Sequence, residues 1–290
     1  MKDRIINWIW SWGVHAFRAS RTVHLSGMVE PIFIWLAGFV PSSRNSEVAM
    51  LPLGSTLLMP PGYRDARTVR VGLFQEAETK LFQSLLYPGM TVADLGAYVG
   101  YFTVLASRLV GSAGRVFAFE PDEMAFEYLA RNIAENDCRN VVATRKAISD
   151  RAAVATLVRD PRGPESFLAD VPIDRRSRAV DTLSMDLFFE TIGWPSVDLV
   201  KMNIEGGELH ALWGMTDFSR RNPNLKLVME FNPWAMRRAE VSRSDLTDAL
   251  KKLGFRRCQI VERGLKDVPD TDLVPAGCAV YNLLLTKQPA

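Results

Sequence analysis

The residues best suited to chemistry fall in three short stretches. The first is TVADLGAYVGYFTVLASRLV, where Asp94 ends an apolar run and Gly96 and Gly100 bracket Ala97 and Tyr98. A helix-like segment starts at about Val99. Glycine at such a turn removes Cβ, so the chain can bend tightly and a ligand can approach the backbone. The helix start beyond it offers N–H groups without intrahelical partners and a partial positive charge. The second stretch is RVFAFEP, in which Glu120 closes the next strand-like run twenty residues after Gly100 and is followed by Pro121. A carboxylate there can accept both hydroxyls of a ribose, the spacing logic of nucleotide-binding βαβ units. The third, VDLVKMNIEGGELHALWGM, places Asn203, Glu205 and Glu208 after another apolar run. Strand, glycine turn, helix, strand and terminal acid in this order point to an adenosine-containing ligand. Asp94, Gly96, Ala97, Tyr98, Gly100, Glu120 and Pro121 are the residues expected to hold it.

The turn reads D-x-G-x-x-x-G, not G-x-G-x-x-G. A dinucleotide lays its pyrophosphate over the first glycine, and an aspartate at that place would repel it. The ammonium of a methionine moiety suits Asp94 instead. The pattern therefore favours S-adenosylmethionine over NAD. An NAD-dependent oxidoreductase is the rival reading, but no Tyr-x-x-x-Lys pair accompanies the turn. Candidates for the reaction itself are Glu205 and Asn203, at the carboxyl end of a strand where open α/β sheets bind ligands, and Glu230, which ends the strand-like run LKLVMEF. A positioned carboxylate can take the proton of an acceptor hydroxyl as it leaves, whereas Asn203 can only donate and accept hydrogen bonds. Glu208 has two readings, a second carboxylate at the site or a charge favoured in the first turn of a helix. His210 reads as a packed or surface residue.

The elements that position these groups alternate. Strand-like runs fall at 91–95, 115–120, 141–147, 197–203, 225–231, 256–261 and 279–286, with helix-like runs at 99–110, 122–136, 184–192, 206–214 and 243–253 between most of them. Such alternation predicts a mostly parallel sheet covered on both faces, a three-layer α/β fold. Residues 151–182 interrupt the rhythm with two strand-like pieces around a Pro- and Arg-rich loop. Upstream, VAMLPLGSTLLMP predicts a hairpin turning near Gly54–Ser55, residues 60–72 read as loop, and Glu76–Tyr87 as a helix.

Residues 1–47 read as an apolar, helical extension and linker in front of a domain spanning 48–290. The stretches at 5–17 and 28–40 are too short and too interrupted to span a bilayer. A helical layer packed on the domain is the first reading. An interfacial membrane anchor is the second, since Trp8, Trp10 and Trp12 suit the headgroup boundary and Lys2, Arg4, Arg18 and Arg21 suit anionic lipid. A secretion signal is a third. The chain has 290 residues, a net charge of +2 and 48% hydrophobic residues, which gives no sign of a nucleic-acid partner. Cys138, Cys258 and Cys278 lie far apart and outside any CxxC, and His15, His24 and His210 form no ligand pair. A reducing compartment, the cytoplasm, is expected, and no metal site.

Three segments resemble the FkbM-type methyltransferases of the class I, Rossmann-like group: ADLGAYVGYFTVLAS, FAFEPD, and DTLSMDLFF followed by VDLVKMNIEGGELHALWGM, the last similar to the family's K-I-D-V-E-G-A-E motif. The resemblance runs over about residues 68–286. It implies S-adenosylmethionine as cofactor, a seven-stranded sheet with an antiparallel last strand, and O-methylation, often of sugars or secondary metabolites. The apolar N-terminal region extends the range of acceptors to lipid-linked ones. The resemblance also places Ala147, Ile148 and Ser149 against the adenine. Three positions depart from the family pattern: its Asn is Tyr98 here, its Asp is Asn203, and its Ala is Gly207. Tyr98 and Asn203 support a further alternative, a methyltransferase-like module that binds without turning over.

Overall fold

The computed structural model describes residues 46–63, 65–159, 166–169, 174–175, 177–269 and 272–287. The apolar stretches at 5–17 and 28–40, the linker up to residue 45 and the Pro- and Arg-rich loop at 160–165 lie outside the described residues. The chain enters through a hairpin of β1 (Glu47–Met50) and β2 (Thr56–Met59), then α1 (Ala66–Val71) and α2 (Glu76–Leu85). An alternating stretch follows: β3 (Thr91–Leu95), α3 (Tyr101–Val110), β4 (Arg115–Phe119), α4 (Glu123–Glu135) and β5 (Val141–Thr144). Short strands β6 (Ala147–Ile148), β7 (Ala153–Arg159), β8 (Ser166–Ala169) and β9 (Ser177–Leu183) precede α5 (Met185–Thr191). The rest runs β10 (Leu199–Met202), α6 (Glu208–Trp213), α7 (Thr216–Arg221), β11 (Lys226–Phe231), α8 (Pro233–Arg238), α9 (Arg243–Lys252), β12 (Phe255–Ile260), β13 (Lys266–Asp267) and β14 (Tyr281–Lys287).

The main sheet has the order β13-β12-β14-β11-β10-β3-β4-β5. β3, β4, β5, β10 and β11 pair in parallel, and β14 runs antiparallel between β11 and β12. The seven expected strands are all present in this Rossmann-like sheet. An eighth, the two-residue β13, adds an antiparallel edge to β12. Period-two alternation sorts the strand residues onto two cores. Ala93, Leu95, Phe117, Phe119, Val200, Met202, Leu227 and Met229 face α5, α6, α7 and α9. Val92, Val116, Leu199 and Val228 face α2, α3 and the hairpin. The same alternation turns Asp94, Lys201 and Glu230 toward the α2–α3 side, where charge has to be compensated.

The hairpin is fastened to α4 by two asparagines one turn apart. Asn136 accepts from Thr56 N and donates to Thr56 O, both at 2.8 Å. Asn132 does the same for Leu58, at 2.6 and 2.9 Å. The two amides satisfy the open edge of β2 much as a neighbouring strand would. Helix starts carry their expected signals: Asp122 caps α4, Ser184 caps α5, Asn232 with Pro233 opens α8, and a Ser242–Asp245 capping box opens α9.

Several elements differ from the sequence reading. α1 forms inside the stretch 60–72 that reads as loop, and α7 and α8 add turns of helix unforeseen by periodicity; six residues are too few for a 3.6-residue pattern to show. The run 141–147 breaks after Thr144, and its last residues join a second sheet of order β6-β9-β7-β8. Three of its four strands, β7, β8 and β9, come from the stretch 151–182, where the sequence reading has two. Among the described residues no helix is long and apolar enough to cross a membrane.

Candidate active site

A cleft of about 1030 Å³ opens at the carboxyl ends of β3, β4, β10 and β11, the place where open α/β sheets bind ligands. Its walls include Gly96, Ala97, Tyr98, Glu120, Pro121, Ala147, Ile148, Asn203, Glu205 and Glu230. The structure thus brings together most of the residues singled out by motif. Asp94 and Gly100 stand behind the wall, and so does Ser149, whose N–H donates to Leu183 O and whose hydroxyl donates to Asp150.

The turn after β3 is built by close approach. Gly96 has φ +79°, and a Cβ there would lie 1.9 Å from the carbonyl oxygen of Asn203. The N–H groups of Gly96 and Ala97 both donate to Phe119 O. Gly100, at φ +94°, opens α3 with room only for hydrogen against Leu129. This geometry leaves Tyr98 in the left-handed region, φ 50°, and aims its N–H at Glu120 Oε2, 2.8 Å away. Asp122 N donates to Glu120 Oε1 at the same distance. Each carboxylate oxygen keeps a lone pair for a ribose hydroxyl. Burial pushes the Glu120 carboxyl up to about 7, against the lowering effect of those two N–H groups.

At the other end of the cleft the charges are mixed. Asp94 Oδ2 accepts from Thr103 at 2.6 Å, while its buried Oδ1 has no hydrogen-bond partner and faces Lys201 Nζ at 3.8 Å. Lys201 also lies over the Phe102 ring and lines the cleft. Asn203 Nδ2 donates to Glu230 Oε2 at 3.1 Å. In the loop beyond β10, Glu205 holds φ 54°, and its carbonyl accepts from Arg238 Nη2 at 2.8 Å. Glu208 turns inward and accepts from the N–H groups of Ile204 and Gly206. Of its two readings, the helix-start one describes its contacts, and burial raises it to about 7. His210 packs edge-on against Trp213.

Sequence reasoning missed Tyr63, Arg159, Phe167 and Arg238, which also line the cleft. Tyr63 stacks on Tyr98 with ring centroids 5.7 Å apart. Arg159 from β7 grips the Asp122 carboxylate with two 2.8 Å bonds. Arg238 lies 3.6 Å over the Phe167 ring of β8, tying the second sheet to the loop that carries Glu205. These residues sit in stretches with no motif. Lys201 lies inside a quoted motif, but its role depends on cross-strand neighbours that the sequence does not display.

These residues fit S-adenosylmethionine. Glu120 suits the ribose, and Ala147 with Ile148 gives an apolar face for the adenine. A methionine end carries both charges, and Lys201 on the wall, with the unsatisfied Asp94 oxygen behind it, presents one of each. Among the described residues no group of three or more His, Cys, Asp or Glu could hold a metal ion.

The chain is similar to several known proteins. A protein-L-isoaspartate O-methyltransferase of Aeropyrum pernix is 34% identical over 116 residues, 37% of this chain and 44% of that protein. The methyltransferase sdnD of Sordaria araneosa is 24% identical over 157 residues, 43% of this chain and 60% of that protein. The chain thus spans about half the length of the curated relatives it matches. Similar solved structures include a SAM-dependent methyltransferase from Aquifex aeolicus, at 17% identity and TM-score 0.41 over 72% of this chain and 88% of that one. Another is M. jannaschii TYW2 in complex with AdoMet, at 14% identity and TM-score 0.44 over 85% and 86%. The family model of the methyltransferase FkbM domain matches residues 94–257, from the aspartate of the cofactor turn to the sixth strand of the parallel set. The chain belongs to the FkbM methyltransferase family, and its cofactor is S-adenosylmethionine.

Proposed function

We propose that the protein transfers a methyl group to a hydroxyl oxygen of a sugar, lipid-linked or secondary-metabolite acceptor. The observation that carries this reading is the Glu230 carboxylate on the cleft wall, oriented by the Asn203 amide. When bound, the cofactor supplies an electrophilic methyl on a sulfonium. Glu230 takes the proton of the acceptor hydroxyl as the oxygen attacks, and Glu205 holds the hydroxyl from the facing loop, whose backbone Arg238 fixes. Tyr63, Phe167 and Trp234 line the approach with flat apolar faces suited to a sugar or aromatic ring. Nothing in the charge of the chain calls for a nucleic-acid acceptor.

The test is methyl transfer from labelled S-adenosylmethionine to a panel of hydroxyl acceptors, with S-adenosylhomocysteine binding measured alongside. Glu230→Gln should lower kcat by roughly 10²–10⁴-fold and leave S-adenosylhomocysteine affinity within about twofold. Full turnover by Glu230→Gln would refute the assignment, and the same experiment on Glu205→Gln decides its role. Asn203 in place of the family's Asp favours a second reading, a module that binds the cofactor without turnover; tight binding with no transfer to any acceptor selects it. The membrane contact proposed for residues 1–40 is tested by flotation of the full chain with anionic liposomes, and no co-flotation removes lipid-linked acceptors from the proposal.

A further inference from the structure

Beneath the methionine end of the cleft lies a carboxylate that neither the motif nor the reaction uses. Glu78, in the first turn of α2, is 2% exposed, and its Oε2 is buried with no hydrogen-bond partner. It does not line the cleft. The charges that act on it come from several elements: Lys201 from β10, Glu230 from β11, Asp94 from β3 and Glu262 from the turn before β13, and its own charge acts on Tyr101 of α3. Glu262 is engaged elsewhere, accepting from both nitrogens of Asn282, and the Tyr101 hydroxyl pairs with Thr79. Lys201 is thus the cation that acts on Glu78, against the Asp94 and Glu230 carboxylates, and ionising Glu78 adds one negative charge to this cluster.

We propose that Glu78 is a positioning residue for charge: it sets the potential under the cleft and thereby the preference of the site for the cationic sulfonium of S-adenosylmethionine over the neutral thioether of S-adenosylhomocysteine. Burial, helped by the Glu230, Asp94 and Glu262 carboxylates, pushes its carboxyl up to about 8 against the lowering effect of the Lys201 ammonium, so a proton resides there at neutral pH. A sulfonium arriving above favours the ionised form, and the proton leaves. Cofactor binding is then coupled to proton release, and affinity for S-adenosylmethionine rises with pH until Glu78 is already ionised in the free protein. The thioether product lacks that charge and gains less, which favours exchange of product for fresh cofactor as pH rises. Glu120 and Glu208 are also raised, to about 7; the adenosine that Glu120 faces is common to both ligands, and Glu208, coupled by charge to Glu230, is separated from Glu78 by the Glu78→Gln variant. The inference rests on the cofactor and not on O-directed transfer.

The test is calorimetric titration of the full chain with each ligand at pH 6.5 and 8.5, in two buffers of different ionisation enthalpy. The affinity ratio of S-adenosylmethionine to S-adenosylhomocysteine should be about three- to tenfold larger at the higher pH, since one coupled proton gives up to about tenfold per pH unit. More protons should leave with S-adenosylmethionine than with S-adenosylhomocysteine. Glu78→Gln, which mimics the protonated carboxyl, should abolish both effects. Equal proton release with the two ligands in the parent protein, or a pH-dependent ratio that persists in Glu78→Gln, overturns the proposal while leaving the cofactor assignment intact. Failure of either ligand to bind overturns the cofactor assignment and this coupling with it.

Discussion

Substituting Gly96 by alanine is the sharpest probe of the cofactor turn. The added methyl would meet the Asn203 carbonyl oxygen at 1.9 Å and the Ile204 side chain at 3.2 Å, from a backbone held at φ +79°. The left-handed conformation costs a Cβ-bearing residue about 1–2 kcal/mol. Overpacking adds about 1–3 kcal/mol, at the upper end here, because the obstacle is main chain just past the end of the neighbouring strand β10. The expected destabilisation is about 3–5 kcal/mol. Gly264 is the control: it is also left-handed, at φ +66°, with nothing within 4 Å of its absent Cβ, so alanine there should cost only the first term. Urea denaturation of both variants reads the difference, and S-adenosylhomocysteine titration reads its consequence, since relief of the clash must part β3 from the loop carrying Asn203 and Glu205. If Gly96→Ala unfolds at the same urea concentration as Gly264→Ala and binds the ligand with parental affinity, the close approach is not what selects glycine.

Three further expectations follow from named contacts. Asn132→Ala leaves the N–H and C=O of Leu58 without their amide partner and should destabilise the fold by about 2–3 kcal/mol, with earlier protease cleavage in the β1–β2 hairpin; unchanged protection at Leu58 in hydrogen exchange counts against it. Asn203→Asp sets a carboxylate where an amide now donates to Glu230. It should lower the melting temperature at pH 8 and recover at pH 5, where one of the pair holds a proton; equal loss at both values would remove the charge argument. Glu78, Glu120 and Glu208 are raised from 4.5 to about 8, 7 and 7, so between about pH 5 and 8 the folded state binds more protons than the unfolded one. Stability should therefore fall as pH rises through that window, and Glu78→Gln should flatten the slope in urea midpoints at pH 6 and 8.5.

The meeting of Gly96, Ala97, Tyr98 and Glu120 on one cleft was legible because local chemistry dictates it: a glycine turn between strand and helix and an acid closing the next strand recur at fixed spacing. The seven strands were legible because buried parallel strands are continuous apolar runs. The part of the cleft wall outside the motifs was not. Tyr63, Phe167 and Arg238 come from three separate parts of the chain, and their meeting is a product of tertiary packing that no spacing encodes. Glu78 illustrates the same limit from inside a correctly expected helix: its position in α2 reads as an ordinary acidic first turn. Only the sheet register, which pairs Lys201 with Asp94, reveals what it faces. The split of the 141–147 run was hidden because Ala147 and Ile148 are as strand-like as the residues before them.

The amide clamp on β2 has a mechanical side. α4 is a stiff rod of about 20 Å. Near its far end it is bolted to the hairpin through Asn132 and Asn136, and Tyr128 meets Ser46, where the described chain begins, at 2.8 Å. Its near end carries Asp122, which caps the helix and whose N–H helps hold Glu120. A pull or twist on the hairpin therefore has a lever arm, through α4, to the backbone that holds the Glu120 carboxylate.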